Sequence, residues 1–253
     1  MGFNKNGLIL WEGPSAIDGK PVMLVATGLD KGSRNEKTGD LVQTWILRAD
    51  ISPTDATHSG DDFSICGACP HRGEIVEGRN VNRSCYVTVF QAPLNVFKTA
   101  KAGRYAAPSL NESAEILQGR FVRLGAYGDP AAIPFDIWEK LLENVTRVTG
   151  YTHQWQWADS RFSRYCMASA DNVKEAETAR GMGYRVFRVG SAAEKLAKGI
   201  EFLCPASKEA GQKVNCAQCL ACGGNSSPNK ASVFIPAHGM GAKVAAFERR
   251  IAV

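Results

Sequence analysis

The chain has 253 residues, of which 44% are hydrophobic and 22% charged, and it carries a formal net charge of +5. These values are typical of a globular protein with one full core, and we predict a single domain over residues 1–253. No apolar run is long enough to span a membrane and no apolar leader opens the chain, so we expect no membrane association and a cytoplasmic location. The basic residues are scattered without a basic-aromatic stripe, which argues against nucleic-acid binding.

Residues 1–84 are predicted to form a β-rich N-terminal extension. The β-branched and apolar runs at 22–27 and 41–47 predict two strands, separated by turns rich in glycine and aspartate. Residues 51–62, which are mostly serine, threonine, aspartate, proline and glycine, predict a loop.

From Cys85 onward, short strands and helices are predicted to alternate. Strands are expected at 85–90, 120–125, 148–155, 166–169, 184–189, 200–203 and 232–236. Helices are expected at 92–102, 134–145, 173–182, 192–198 and 242–251. This order favours right-handed crossovers and a parallel sheet. Because no G-x-G-x-x-G follows the first strand, we predict an α/β fold that is a (β/α) barrel or partial barrel over 85–253, with a cysteine-rich insertion at 204–230.

Four of the eight cysteines lie near the C-terminus at the spacing of an iron–sulfur site. Cys204 precedes a proline, and Cys216, Cys219 and Cys222 follow one another as C-x2-C-x2-C. Bacterial ferredoxins hold a [4Fe–4S] cluster with such a run and a remote cysteine before proline. Structural zinc more often uses two C-x2-C pairs, so we predict a [4Fe–4S] cluster here with zinc as the alternative.

A second group of three cysteines lies in the N-terminal third. Cys66, Cys69 and Cys85 offer three thiolates, and His71 is a candidate fourth ligand. A closed Cys3His site would hold zinc, whereas three thiolates alone would hold an iron–sulfur cluster with one iron open to substrate. The sequence leaves both alternatives open, and His71 is equally well read as an exposed loop histidine. The remaining cysteine, Cys166, lies in an apolar stretch and is predicted to be a core residue.

Three further residues are candidates for catalysis because each follows or ends a predicted strand. Asp129 would act as an acid or base or bind a cation, although an aspartate before a proline is also typical of a turn. His153 would reach the centre of the barrel, and a buried structural histidine is the alternative. Arg188 would hold a carboxylate or phosphate, or would form a salt bridge at the rim.

Several of these stretches resemble a family of poorly characterised bacteriophage proteins. The stretch Ser33-Arg-Asn35-Glu-Lys37-Thr-Gly39, the paired cysteines and Cys85-Tyr86 match a pattern of Asn-x-Lys-x-Gly followed by cysteines that end in Cys-Tyr-Ala. Val87 replaces the alanine here, and the gap between Cys69 and Cys85 is long. The C-terminal cysteines resemble the end of a related phage group, so that the matching stretches cover roughly a third of the chain. The resemblance implies a phage-encoded protein made in the bacterial cytoplasm, and it supplies no known reaction.

The βα order with clustered cysteines is also similar in outline to radical S-adenosylmethionine enzymes, which use a partial barrel and an open [4Fe–4S] cluster. Their C-x3-C-x2-C signature is absent, so we do not carry their activity over to this chain. If the resemblance holds, the signature is rearranged into Cys66, Cys69 and Cys85.

Two hypotheses follow from the sequence. The first is an iron–sulfur protein with an electron-transfer or redox-enzyme role, working on a small-molecule substrate or with a redox partner. The second is a non-enzymatic zinc module that binds nucleic acid or a host protein, in which the cysteines only brace loops. The sequence does not decide whether the protein is an enzyme.

Overall fold

A computed structural model describes residues 4–32, 36–212 and 214–252, so Ser33 to Asn35 of the phage-like motif lie outside the described residues. The described residues form a mixed α/β structure. The strands are β1 (Gly7–Pro14), β2 (Pro21–Thr27), β3 (Val42–Arg48), β4 (Glu74–Val76), β5 (Arg79–Val81), β6 (Phe121–Tyr127), β7 (Arg147–Thr149), β8 (Tyr151–Thr152), β9 (Met167–Ala170), β10 (Val186–Gly190), β11 (Glu201–Leu203) and β12 (Ser232–Pro236). The helices are α1 (Pro53–Ser59), α2 (Phe63–Cys66), α3 (Ala92–Lys101), α4 (Leu110–Leu117), α5 (Phe135–Leu142), α6 (Val173–Gly181), α7 (Cys216–Cys219) and α8 (Gly241–Ile251).

The first sheet joins the N-terminal strands to the later βα units. Its order is β1-β2-β3-β6-β7, antiparallel from β1 to β3 and parallel from β3 to β7. Nearly every residue of β2 and β3 is buried, which explains why these strands are continuous apolar runs rather than alternating ones. The N-terminal residues therefore belong to the same sheet as β6.

The second sheet is parallel throughout, with the order β11-β12-β10-β9-β8. Its edge strand β8 follows β7 after a single residue, Gly150, so that one stretch of chain serves both sheets. A Cβ on Gly150 would lie 2.9 Å from the Sγ atom of Cys166, and only glycine allows this close approach. The expected α/β structure with parallel strands is confirmed.

One predicted loop contains a helix. Within 51–62, α1 begins after Ser52, whose side chain accepts a 3.2 Å hydrogen bond from the amide of Asp55. Pro53 occupies the first turn, where its missing N–H costs nothing, and Gly60 ends the helix at a φ of 84°. The residues that suggested a loop are here the caps of a short helix.

Three other predictions were wrong, and three helices were missed. Residues 85–90 form no strand, and residues 192–198 form turns and irregular backbone rather than a helix, with Glu194 paired to Arg188. The strand predicted at 148–155 is interrupted at Gly150 and ends at Thr152. The missed helices are α2, α4 and α7, although the capping box of Ser109 and Glu112 that starts α4 is legible in the sequence.

The core lies between the sheets and the helices that cover them. Trp138 on α5 is fully buried and its indole donates a 2.9 Å hydrogen bond to the carbonyl of Pro130, which seats this helix against the end of β6. Among the described residues, no helix is both long and apolar enough to cross a membrane.

Candidate functional site

A cavity of about 360 Å³ opens on one face of the parallel strands. Residues of β6, β10 and β12 line it, and those of β10 and β12 alternate, as expected when one face of a strand points inward. These strand residues are Arg123, Gly125, Ala126, Tyr127, Phe187, Val189, Val233 and Ile235. All seven cysteines of the two groups also line this cavity, so residues that lie far apart in the sequence share one site: Cys66, Cys69, Cys85, Cys204, Cys216, Cys219 and Cys222.

The C-terminal cysteines are presented by the end of β11 and by α7. Cys204 follows β11 directly, and Cys216 and Cys219 begin and end α7. Asn215 caps this helix with a capping box, in which its side chain accepts a 3.0 Å hydrogen bond from the amide of Gln218. A one-turn helix is marginal by itself, so its cap and its packing determine where the thiols point.

The environment of these thiols is polar and cationic. The hydroxyl of Tyr151 hydrogen-bonds the Cys222 thiol, and the backbone N–H of Ala206 donates to Cys204. Burial raises the pKa of the Cys222 thiol to about 12, so that without a metal the thiol stays protonated. Burial raises the pKa of the Cys216 thiol, and the nearby charge of Arg123 opposes this shift. Hydrogen bonds and cations of this kind stabilise the negative charge of metal-bound thiolates.

The loop after α7 is anchored to the strands beneath it. Arg185 donates hydrogen bonds to the carbonyls of Ala221, at 2.8 Å, and Gly224, at 2.9 Å. A Cβ on Gly223 would lie 2.6 Å from the carbonyl oxygen of Val148. Gly223 therefore allows the loop to pack closely on β7.

The N-terminal cysteines are held by a buried ion-pair network. Cys66 ends α2, which starts at the fully buried Asp62. The carboxylate of Asp62 accepts hydrogen bonds from Arg72, at 2.7 Å, and from Arg83, at 3.2 Å. The amide of Cys85 donates to the carbonyl of His71 at 2.9 Å, which brings the third cysteine back to the first two.

Gln154 fastens the same cysteine loop to the strand ends. Its side-chain amide donates to the carbonyl of Cys66 at 2.7 Å and accepts from the amide of Ala68 at 3.1 Å. Burial raises the pKa of the Cys66 and Cys69 thiols well above their ordinary value.

The seven sulfurs are not drawn tightly together. In the described ranges, no three cysteine Sγ atoms lie within 4.8 Å of one another. Sulfurs that share one zinc ion stand about 3.8 Å apart, because each Zn–S bond is near 2.3 Å in a tetrahedron. In a cubane each sulfur binds a different iron, so the sulfurs stand farther apart.

His71 has partners on both ring nitrogens. Its Nδ1 atom lies 2.8 Å from the hydroxyl of Ser84, and its Nε2 atom lies 3.1 Å from Oδ1 of Asp171. Ligand atoms of His71, His153 and Asp171 all lie within 4.8 Å of one another. His71 thus stands beside the N-terminal cysteines and is engaged with a different set of residues.

His153 and Asp129 meet at the ends of neighbouring strands and both line the cavity. The buried carboxylate of Asp129 accepts 2.7 Å and 3.3 Å hydrogen bonds from the amide of His153 and the side chain of Gln154. Burial raises the pKa of Asp129, although these donors oppose the shift. Burial lowers the pKa of His153 to about 3, so that its ring is neutral. Asp129 therefore orients the backbone that carries His153.

Asp171, which was not a predicted site residue, lies beside these histidines. It follows β9 directly, next to the end of β8, whereas Asn172 caps α6. Burial by itself would raise the pKa of Asp171, but the hydrogen bond with His71 and the nearby positive charges lower it to about 2. The sequence feature that could have identified Asp171 as a site residue is its position at the end of a buried strand.

Arg188 and Cys166 are placed elsewhere. The guanidinium of Arg188 is fully buried, pairs with Glu201 and Glu194, and stacks on the ring of Phe234. It is not one of the residues that line the cavity. Cys166 is fully buried in the core, as expected.

These contacts place seven thiols and two histidines around one cavity, with Asp171 within 4.8 Å of both histidines. Thiols, imidazoles and carboxylates are the side chains that transition metals bind. This interpretation rests on the chain's own geometry. No family model, no curated protein and no solved structure matches the chain.

Proposed function

We propose that this chain is an iron–sulfur protein with a redox-enzyme role. The observation that carries the proposal is the convergence of both cysteine groups on one cavity that parallel strands also line. Cysteines that only braced separate loops would have no reason to face a common space, whereas redox groups must face their substrate or each other. The cavity of about 360 Å³ is large enough for a small-molecule substrate.

In this proposal Cys204, Cys216, Cys219 and Cys222 hold one [4Fe–4S] cluster. Four thiolates satisfy its four irons, and the cations and hydrogen-bond donors around them offset its negative charge. When bound, such a cluster supplies one-electron transfer. The C-x2-C-x2-C spacing, with a remote cysteine before proline, supports a cluster over a single zinc ion.

Cys66, Cys69 and Cys85 hold the second site, which we also assign to an iron–sulfur cluster. His71 lies against Ser84 and Asp171 rather than among the three thiols, which leaves three thiolates facing the cavity. A cluster held by three cysteines keeps one iron open to a substrate. A zinc ion held by these three cysteines and His71 is the competing assignment, and metal counting separates the two.

We extend the proposal to the architecture and the origin of the chain. The parallel strands β3, β6, β7, β8, β9, β10, β12 and β11 would form one curved partial barrel, with Gly150 as the link between the two sheets. The protein would be phage-encoded and work in the bacterial cytoplasm, on the strength of the motif resemblance. In support of a role for that motif, the carbonyl of Lys37 accepts a 2.8 Å hydrogen bond from the amide of Cys216.

The test is anaerobic purification followed by visible absorption spectroscopy and by iron, sulfide and zinc counts on one sample. About eight irons and eight sulfides per chain, with a broad absorption near ~400 nm, support two clusters. About four irons with one zinc would assign zinc to the N-terminal group. A colourless protein with one or two zinc ions would overturn the redox proposal and favour the binding module.

A further inference from the structure

We propose that His71, His153 and Asp171 form a third metal site, which binds a divalent transition-metal ion such as Mn²⁺ or Fe²⁺ through two imidazoles and one carboxylate. This site contains no sulfur, and the proposal does not depend on what the cysteine groups bind. Two histidines and one carboxylate that leave other positions open are the ligand set of many non-haem iron sites.

The distances between the three side chains fit ligands of one ion. All three ligand atoms lie within 4.8 Å of one another. Two ligands at right angles around an ion, each with a bond near 2.1 Å, stand ~3 Å apart. The Nε2 atom of His71 and Oδ1 of Asp171 are 3.1 Å apart.

The surroundings orient each ligand in the way that metal ligands usually need. The Nδ1 atom of His71 lies 2.8 Å from the hydroxyl of Ser84, which can accept its proton. On metal binding, the Nε2 lone pair would then bind the ion in place of the hydrogen bond to Asp171. The second carboxylate oxygen of Asp171 pairs with Arg250 on α8 at 2.7 Å, so Oδ1 remains for the ion. The amide of His153 is fixed by Asp129.

His153 supplies the independent observation. Its Nε2 atom is buried and has no hydrogen-bond partner among the described residues. Leaving a buried ring nitrogen without a partner costs stability, so a native structure seldom keeps one without a reason. A metal ion at the centre of the three residues would satisfy it.

The site is placed where an ion could act on a substrate. His71 and His153 line the cavity that the cysteines also line. His153 and Asp171 follow the ends of the adjacent parallel strands β8 and β9, so the sheet itself fixes their separation. An ion there would face the same small molecule as the N-terminal cysteines.

The test is titration of the anaerobically isolated protein with Mn²⁺ alone, because Mn²⁺ prefers nitrogen and oxygen ligands to thiolates. Binding is followed by the loss of the free-Mn²⁺ electron paramagnetic resonance signal. The wild type should bind Mn²⁺, and electron spin-echo envelope modulation should reveal coupling to histidine nitrogen. His153→Ala removes no hydrogen bond of the ring, so it should fold normally and weaken this binding at least about 100-fold.

The matched control is His238→Ala, which removes another histidine of the same cavity and should leave Mn²⁺ binding unchanged. Asp171→Asn provides a second ligand variant and should also lose the site. Wild-type affinity in His153→Ala, or absence of nitrogen coupling, would overturn the proposal. Iron and sulfide counts on the same samples test the proposed function separately, since His153→Ala should leave them unchanged.

Discussion

The two cysteine groups face the same cavity, but they are built differently. The C-terminal group has four thiols, a capped helical turn, and hydrogen bonds to two of its sulfurs. The N-terminal group has three thiols, which lie between a buried ion-pair network and the cluster of His71, His153 and Asp171. Four thiolates complete a cubane, whereas three leave a position free. The difference suggests that one group stores or passes electrons and the other meets the substrate.

Cysteine substitutions test this comparison with the largest expected effect. Cys219→Ala should lower the iron content by about four atoms per chain, and Cys69→Ala should do the same independently, because each removes one cluster ligand. Iron and acid-labile sulfide counts on anaerobic samples measure both. Cys166→Ala is the control, since that buried thiol lies outside the cavity. If Cys69→Ala keeps the full iron content, the N-terminal group is not an iron site.

Loss of the buried ion pair between Arg188 and Glu201, on the strand that leads to Cys204, should destabilise the C-terminal cysteine group more than the N-terminal one. Glu201 starts β11 and pairs with the fully buried Arg188, so Glu201→Gln should lower the free energy of unfolding by about 3 kcal/mol at pH 7. Urea unfolding measures the change. The control is Glu143→Gln, which breaks an exposed ion pair with Lys140 and should lower the free energy of unfolding by less than about 1 kcal/mol.

The same pair predicts the direction of a pH effect. Burial by itself would raise the pKa of Glu201, but hydrogen bonds from Arg188 and the amide of Ala197, with the charge of Arg188, lower it below the ordinary 4.5. A lowered folded-state pKa contributes stability that is present above the unfolded pKa and is lost as the pH falls through the folded one. The difference between wild type and Glu201→Gln should therefore shrink below about pH 4.5. An unchanged difference at pH 3 would contradict this.

Removal of the helix cap beside Cys216 should have a smaller and local effect. Asn215→Ala leaves the first turn of α7 without its cap and should lower the free energy of unfolding by about 1 kcal/mol. The bleaching rate of the visible absorption in air should rise. Asn172→Ala removes the equivalent cap of α6 and is the matched control, because that helix carries no cysteine. Equal bleaching rates in the two variants would show that the cap does not protect the C-terminal group.

The smallest expected effect concerns the charge next to Cys216. The guanidinium of Arg123 lies in the cavity and donates a 2.8 Å hydrogen bond to the hydroxyl of Tyr86. Arg123→Met should lower the reduction potential of the C-terminal cluster by on the order of 30 mV, because a positive charge favours the reduced form. A redox titration measures it. Arg123→Lys keeps the charge and should keep the potential, and equal shifts in both variants would contradict an electrostatic cause.

Local patterns predicted much of the fold. The strands β2, β3 and β12 and the helices α3 and α8 were predicted close to their observed bounds, because each is an uninterrupted apolar run or an amphipathic segment. The helix α1 was missed because its capping residues are also the residues of loops. The helix expected at 192–198 does not form, and Glu194 in that segment pairs with Arg188.

The candidate site was predictable only in part. The cysteine spacing named all seven thiols that line the cavity, and Asp129 and His153 were also singled out. For Arg188 the sequence left two alternatives, a site residue or a salt bridge at the rim, and the structure shows salt bridges that hold it in the protein interior. Asp171 was missed because nothing near it in the sequence indicates that His71, a hundred residues earlier, is its partner.

The sequence by itself determined which residues supply thiols, their local spacing, and the parallel α/β character of the chain. Spacing within a few residues is a local property, so it does not depend on how the rest of the chain folds. Only the tertiary structure decided that both cysteine groups face one cavity and that His71, His153 and Asp171 meet there. Those contacts depend on the order of parallel strands and on loop packing across distant parts of the chain, which no local pattern encodes.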